Sequence, residues 1–118
     1  MTNCCNKSYE FEGFRLDGAE RTLWHGAEYV SLPPKVFDVL CLLVERQGGI
    51  VSKSELMNAV WAETFVEESN LSQNIYTLRR VLGKNENGQD FIETIPRRGY
   101  RFVAPVIKTR RRGVMKNA

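Results

Sequence analysis

The sequence predicts an α+β fold in which a four-stranded antiparallel sheet is followed by three helices and a C-terminal β-hairpin. Three observations predict it. Short segments with alternating apolar residues are separated by tight-turn signals over residues 9–32. Apolar residues then recur at helical spacing in three segments between 34 and 82, and two strand-like segments, FIETI and YRFVAPV, flank the turn sequence PRRG. The length of 118 residues suits one domain.

The N-terminal sheet is predicted from the segments YEFE, FRLD, RTLWH and EYVSL. The three connections between them are short and each contains a glycine, as in hairpins that join neighbouring antiparallel strands. In the second segment, Phe14 and Leu16 alternate with Arg15 and Asp17. This alternation predicts that one face of the sheet is apolar and packs on a core.

The first helix is predicted over residues 34–47. Pro34 suits its first turn, where the missing N–H is no loss, and Gly48-Gly49 suits its end. Its apolar stripe follows helical spacing and contains Phe37, Leu40, Cys41 and Val44.

The second and third helices are predicted over about 53–61 and 68–82. The second begins with a capping box, in which Ser52 accepts a bond from a backbone N–H while Glu55 reaches back. Its apolar face contains Leu56, Ala59 and Val60. The third ends before Gly83, and its narrow apolar stripe contains Leu71, Ile75, Leu78 and Leu82.

Charge is distributed unevenly along the chain. Residues 1–68 contain six Lys/Arg and eleven Asp/Glu, whereas residues 69–118 contain eleven Lys/Arg and three Asp/Glu. A basic half beside an acidic half suggests one face suited to a polyanion; a solvated surface with a basic tail is the alternative. The domain is predicted over 9–106, with a disordered segment at 1–8 and a basic flexible tail at 107–118.

Several functional classes lack their required residues. The three cysteines are too few for a disulfide framework, and Cys41 is predicted to be a buried small hydrophobe. With His25 as the only histidine, we expect no metal and no cofactor. No nucleophile–base pair or phosphate-binding glycine loop is recognisable, so we expect no enzyme. The longest apolar run, VLCLLV, is too short to span a bilayer, and we expect a cytoplasmic protein.

The third helix carries an unusual polar face opposite its leucine stripe. Ser69, Gln73, Tyr76 and Arg80 lie on this face, flanked by Ser72, Thr77 and Arg79. Hydroxyl, amide and guanidinium groups can hydrogen-bond base edges and phosphates, and the face contains no acid. A solvated face of chance composition is the alternative.

The predicted hairpin places two arginines at its turn. Arg97 and Arg98 can project beyond the sheet from this position. Arginines on a narrow protrusion suit the negative potential of a DNA minor groove. The alternative is that they keep an edge hairpin soluble.

The order of elements, together with LPPKVFDVL, GGIVSKSELMNAVW, VEESNLSQNIYTLRRVLG and IETIPRRGYRF, resembles the DNA-binding domain of the OmpR/PhoB-type winged-helix family. PRRGYRF, and the lack of an attached receiver domain, look more like the CadC/ToxR-like branch. The resemblance extends over nearly all of 9–106. It implies a winged helix-turn-helix fold and sequence-specific binding of double-stranded DNA by a bacterial transcription regulator.

The resemblance also implies roles for individual residues. Helix 68–82 would be the recognition helix in the major groove, and the turn 96–99 would be the wing at the adjacent minor groove or backbone. Arg79 would support a phosphate contact, and Tyr100 and Arg101 would flank the DNA backbone. The implied DNA-facing positions of the helix are Ser69, Ser72, Gln73, Tyr76, Thr77 and Arg80.

Further partners are implied in the same way. Loop 62–67 matches a segment that in relatives touches RNA polymerase, and a second copy would bind a tandem half-site. No small-molecule substrate is evident. In the CadC/ToxR-like branch the domain often lies in a longer, sometimes membrane-anchored, regulator.

Two departures limit what the resemblance implies. Pro33 replaces a threonine common in relatives, which removes a helix-capping hydroxyl commonly worth ~1 kcal/mol. Ser69 and Ser72 stand where relatives often have arginine, so the DNA site cannot be borrowed from them. A winged-helix protein-interaction module without specific DNA binding is the alternative function. Acids or exposed aliphatic residues on the recognition face would favour that module, and the sequence has neither there.

Overall fold

The computed structural model describes residues 7–62 and 66–109 of the chain, and these form eight strands and three helices. The predicted α+β fold, with three helices between an N-terminal sheet and a C-terminal hairpin, is confirmed. In chain order the elements are β1 Ser8–Phe11, β2 Phe14–Asp17, β3 Thr22–His25, β4 Glu28–Val30, α1 Pro34–Glu45, β5 Val51–Ser52, α2 Lys53–Val60, α3 Glu68–Leu82, β6 Ile92–Ile95, β7 Gly99–Phe102 and β8 Ile107–Thr109.

The N-terminal sheet has five strands in the order β4-β3-β2-β1-β8, not the four that the sequence predicted. The additional strand β8 pairs antiparallel with β1, with Ser8 opposite Thr109 and Glu10 opposite Ile107. Residues 107–109 are therefore sheet, not flexible tail, and buried Ser8 belongs to β1, not to a disordered segment. The sequence did not reveal this pairing because the two partners lie at opposite ends of the chain. Residues 1–6 and 110–118 of the two predicted segments lie outside the described residues.

The three helices begin and end close to the predicted positions. Helix α1 begins at Pro34 without a side-chain cap, and the Phe37 N–H donates to the Pro33 carbonyl oxygen at 3.0 Å. Helix α2 begins after Ser52, whose Oγ accepts a hydrogen bond from the Glu55 N–H at 3.0 Å. The predicted N-cap is thus confirmed.

A single core joins both sheets to the helices. Helix α1 is its centre, because nine consecutive residues of this helix, from Val36 to Val44, are buried. The ring of Phe11 in the N-terminal sheet lies 4.9 Å from that of Phe102 in the three-stranded sheet β5-β7-β6. This aromatic contact fixes the C-terminal hairpin against the rest of the domain.

Cys41 lies in this core and is disulfide-bonded. The prediction that it is buried is confirmed, whereas its disulfide bond was not predicted. The apolar spacing around Cys41 predicts that its side chain is buried, but it does not show whether a second thiol lies close enough for a disulfide bond. Cys4 and Cys5 lie outside the described residues. In the described part of the chain, no helix has both the length and the apolarity needed to cross a bilayer.

Candidate nucleic-acid interface

Helix α3 buries one stripe and exposes the opposite face. The stripe of Leu71, Ile75, Leu78 and Leu82 is buried, as predicted, and it packs towards α1 and α2. Glu68 lies in the first turn, and Arg79 and Arg80 lie in the last turn. Each charge therefore lies at the helix end whose dipole favours it.

The opposite face holds the six residues that the sequence assigned to DNA. Thr77 is half-buried, and its Oγ1 donates to the Gln73 carbonyl oxygen at 3.1 Å. The guanidinium of Arg80 lies 5.8 Å from the ring centre of Tyr76, which is 55% exposed. Exposed members of the face are Ser69, Ser72, Gln73, Tyr76 and Arg80. The structure thus brings the six predicted DNA-facing residues together on one face of the helix, with five of them exposed.

The predicted wing is a hairpin of β6 and β7 joined by residues 96–98. The Arg98 N–H donates to the Ile95 carbonyl oxygen at 2.9 Å and closes the turn. Arg97, with a positive φ of 66°, and Arg98 are both exposed at this tip. Gly99, directly after the turn, pairs with Ser52 of β5 and attaches the wing to the start of α2.

Arg79 points to the wing and is bonded there. Its Nε and one terminal nitrogen donate to the Ile92 carbonyl oxygen at 3.1 and 2.9 Å. The same terminal nitrogen donates to the Thr94 Oγ1 at 2.9 Å, and a carboxylate oxygen of Asp90 lies 3.7 Å from Nε. The guanidinium to which the family resemblance gave a phosphate contact is therefore bonded within the domain. Its contact with DNA stays a prediction.

The remaining two predicted residues are also engaged within the domain. Tyr100 is 6% exposed, so its ring belongs to the core. Arg101 pairs with Glu93 across the hairpin at 2.8 Å. Arg79 and Arg101 line the same cleft of about 670 Å³ between α3 and the wing. Contacts of Tyr100 and Arg101 with the DNA backbone stay predictions. The alternating pattern of residues in β7 does not by itself show that Tyr100 is buried or that Arg101 pairs with Glu93.

Among the residues that the structure describes, ion pairs engage several basic residues but leave three arginines of the predicted interface without an acidic partner. Lys53, Lys84, Arg21 and Arg46 each form an ion pair with an acid, whereas within residues 7–62 and 66–109 no ion pair involves Arg80, Arg97 or Arg98. These three arginines lie on the exposed helix face and on the wing tip. Their charge remains available to an anionic ligand.

Lys53 lies at the start of α2 and was not among the residues predicted to contact DNA. It pairs with Glu68 at the start of α3, at 2.7 Å, and this hydrogen bond raises the pKa of Lys53. The one sequence signal was its position in a first helical turn, where a cation is unfavourable without an acidic neighbour.

Loop 62–67, predicted to touch RNA polymerase, lies partly outside the described residues, at 63–65.

Comparison with known proteins identifies this arrangement. Residues 26–102, about two thirds of the chain, match the family model described as transcriptional regulatory protein, C terminal. The chain belongs to this family. The family is one of transcription regulators, and the predicted function class, a DNA-binding domain of such a regulator, is confirmed. The predicted membership of the OmpR/PhoB type is confirmed as well.

Individual members of the family resemble the chain closely. The chain is 39% identical over 102 residues to the transcriptional regulator HilA of Salmonella typhimurium, covering 86% of this chain and 18% of HilA. It therefore spans about a fifth of the length of that relative.

Solved winged-helix domains superpose on nearly the whole described chain. The DNA-binding domain of CadC from E. coli matches with a TM-score of 0.76 and 25% identity, covering 87% of this chain and 97% of that one. The RstA DNA-binding domain of Klebsiella pneumoniae, solved in complex with the RstA box, matches with a TM-score of 0.69 and 28% identity, covering 81% and 96%. The predicted winged-helix fold is thus confirmed.

Proposed function

We propose that α3 of this domain reads bases in the DNA major groove while the turn 96–99 contacts the adjacent minor groove or backbone. The observation that carries this division is the placement of three exposed arginines that form no ion pair among the described residues. Arg80 lies on the open helix face, and Arg97 and Arg98 lie on a separate protrusion. The complex of RstA with its box supports duplex DNA as the ligand.

Gln73 is the strongest candidate for base reading. It is exposed at the middle of the acid-free face, and a glutamine amide can pair bidentately with adenine. Arg80 can pair with guanine, although it lies near the C-terminal end of α3, where phosphate is the other possible ligand. Arg97 and Arg98, at a hairpin tip, suit the minor groove or the backbone.

We also propose a larger protein around this domain. Because the chain spans 18% of HilA, we propose that it acts within a longer bacterial regulator on the cytoplasmic side, which in the CadC/ToxR-like branch can be membrane-anchored. Loop 62–67 would contact RNA polymerase, and a second copy would occupy a tandem half-site.

A protein-interaction module is the second candidate. One observation favours it: Val81, next to Arg80, is 38% exposed and borders a shallow groove with Tyr76. An apolar contact with a thymine methyl group would use the same side chains. If this domain bound no selected DNA sequence more tightly than a scrambled duplex, the interaction module would be favoured.

The test begins with selection of bound sequences from random duplex DNA. Gln73→Ala should relax preference at about one base position, costing ~1–3 kcal/mol on the selected site and little on scrambled DNA. Joint replacement of Arg97 and Arg98 by alanine should weaken both DNAs by similar factors. It should also reduce the slope of log K against log salt by roughly one to two units.

The opposite results would contradict the division of labour. Equal weakening of both DNAs by Gln73→Ala would remove its base-reading role. A full salt slope in the double arginine variant would remove the wing contact. Ser54→Ala, on an exposed position of α2, is the matched control and should change neither property.

A further inference from the structure

Arg79 leaves the recognition helix in a different direction from its neighbour Arg80. Arg80 lies along the exposed face beside Tyr76, whereas Arg79 crosses to β6 and makes three hydrogen bonds there, of 2.9 to 3.1 Å. We propose that Arg79 is a positioning residue that fixes the wing relative to the recognition helix, and that it is not a phosphate contact. The proposal rests on the function proposed above.

The bonding uses what is particular to a guanidinium group. Two N–H groups of its rigid fork converge on the Ile92 carbonyl oxygen, and one nitrogen also reaches the Thr94 hydroxyl. A lysine ammonium is a compact point charge on a flexible stem and does not reproduce this fork. Arg79 is 30% exposed in its side chain, so water competes only in part for these bonds.

The position of β6 makes this link mechanically important. In the described sheet β5-β7-β6, β6 is the edge strand, so one of its sides has no strand partner. The hairpin is attached through β5 to α2 on its other side. Arg79 supplies the side-chain attachment of β6 to α3, and Thr94 precedes the exposed arginine Arg97 by three residues.

A phosphate contact would require this attachment to break. Arg79 would have to leave the Ile92 carbonyl oxygen and Thr94, and a buried edge carbonyl without a partner carries a desolvation penalty. Arg80, Arg97 and Arg98 offer charge to DNA with no such loss. Arg79 therefore serves the complex better as a fixed link between the exposed face of α3 and the wing.

Replacement by lysine separates the two roles. Arg79→Lys keeps the charge, and a lysine is an adequate partner for phosphate as a point charge. A phosphate role thus predicts affinity close to that of the unmodified domain. A positioning role predicts about a tenfold loss on the selected site, similar to the loss in Arg79→Met. Thr94→Val removes one bond without changing charge and should give a smaller loss in the same direction.

A double-mutant cycle then tests the coupling to the wing. Replacing Arg97 and Arg98 by alanine should weaken binding less in the Arg79→Lys background than in the unmodified domain, because the wing is already mispositioned. Additive losses, or affinity of Arg79→Lys close to that of the unmodified domain, would overturn the proposal. Urea unfolding of each variant controls for loss of fold, and Thr94→Val carries the test if Arg79→Lys does not fold.

A spectroscopic measurement on the full chain needs no variant. In the free protein, the Nε–H proton of Arg79 should exchange with water more slowly than that of Arg80, and it should stay slow when DNA binds. Rapid exchange of the Arg79 proton would overturn the proposal. This measurement in the free protein is independent of DNA, so slow exchange together with absent DNA binding would show that the proposed function had failed and the link had not.

Discussion

Gly99 of the wing lies so close to Val51 that a Cβ at position 99 would stand 2.1 Å from the Val51 carbonyl oxygen. Gly99 also has a φ of 147°, a conformation that residues with side chains rarely adopt. The wing thus approaches the start of α2 at a point where only a glycine fits.

Gly99→Ala should lower the free energy of unfolding by about 2–4 kcal/mol, since both the backbone conformation and the contact with β5 are lost. Urea denaturation would measure this. Gly88→Ala is the matched control, because Gly88 also has a positive φ, of 77°, but no atom within 4 Å of an added Cβ. Its loss should be about 1 kcal/mol. Equal losses in the two variants would show that the close approach is unimportant.

The cap of α2 should contribute to stability and not to DNA specificity. Ser52→Ala removes the acceptor of the Glu55 N–H and should destabilise the domain by about 1 kcal/mol. Ser54→Ala is a control at an exposed position two residues later, and it should have little effect. Thermal or urea unfolding gives the first quantity, and selection from random DNA gives the second. A changed DNA motif in Ser52→Ala would contradict the structural role.

Two glutamates should make opposite contributions to stability as the pH changes. A hydrogen bond from Arg46 lowers the pKa of Glu55, whereas burial raises the pKa of Glu45. The stabilisation from Glu55 is present above the ordinary pKa of a glutamate and is lost as the pH falls through its lowered pKa. The destabilisation from Glu45 is present above its raised pKa and disappears below the ordinary value.

Glu55→Gln should therefore decrease stability at neutral pH, by less than about 1 kcal/mol because the pair is exposed, and Glu45→Gln should increase it. Both effects should shrink near pH 3, below the ordinary pKa of a glutamate. Urea unfolding at the two pH values is the measurement. A destabilising effect of Glu45→Gln at neutral pH would contradict the sign derived from burial.

The last strand should matter to the N-terminal sheet. Truncation after Val106 removes β8 and leaves one edge of β1 without its partner. We expect the melting temperature to fall by about 5 °C, as for a loss of roughly 1 kcal/mol in a domain of this size. Truncation after Thr109 keeps the strand and removes only the basic end, so it should melt close to the full chain. Identical melting of the two truncated chains would show that β8 adds nothing.

Local sequence patterns determined much of this domain. The leucine stripe of α3, the capping serine before α2 and a turn at 96–99 were all predicted, because each depends on residues within a few positions of one another. The polar helix face followed from the same periodicity, since residues opposite a buried stripe must face outwards. Gln73 and Arg80 could be singled out for that reason.

Only the tertiary structure decided which distant groups meet. Arg79 and Arg80 are adjacent in sequence, yet one is bonded to the Ile92 carbonyl oxygen and the other lies open beside Tyr76. The pairing of β8 with β1 and the burial of Tyr100 likewise depend on elements brought together from far along the chain. Periodicity specifies the side of an element on which a residue lies. The partner of a long side chain, or of a sheet edge, is specified by what packs against that side.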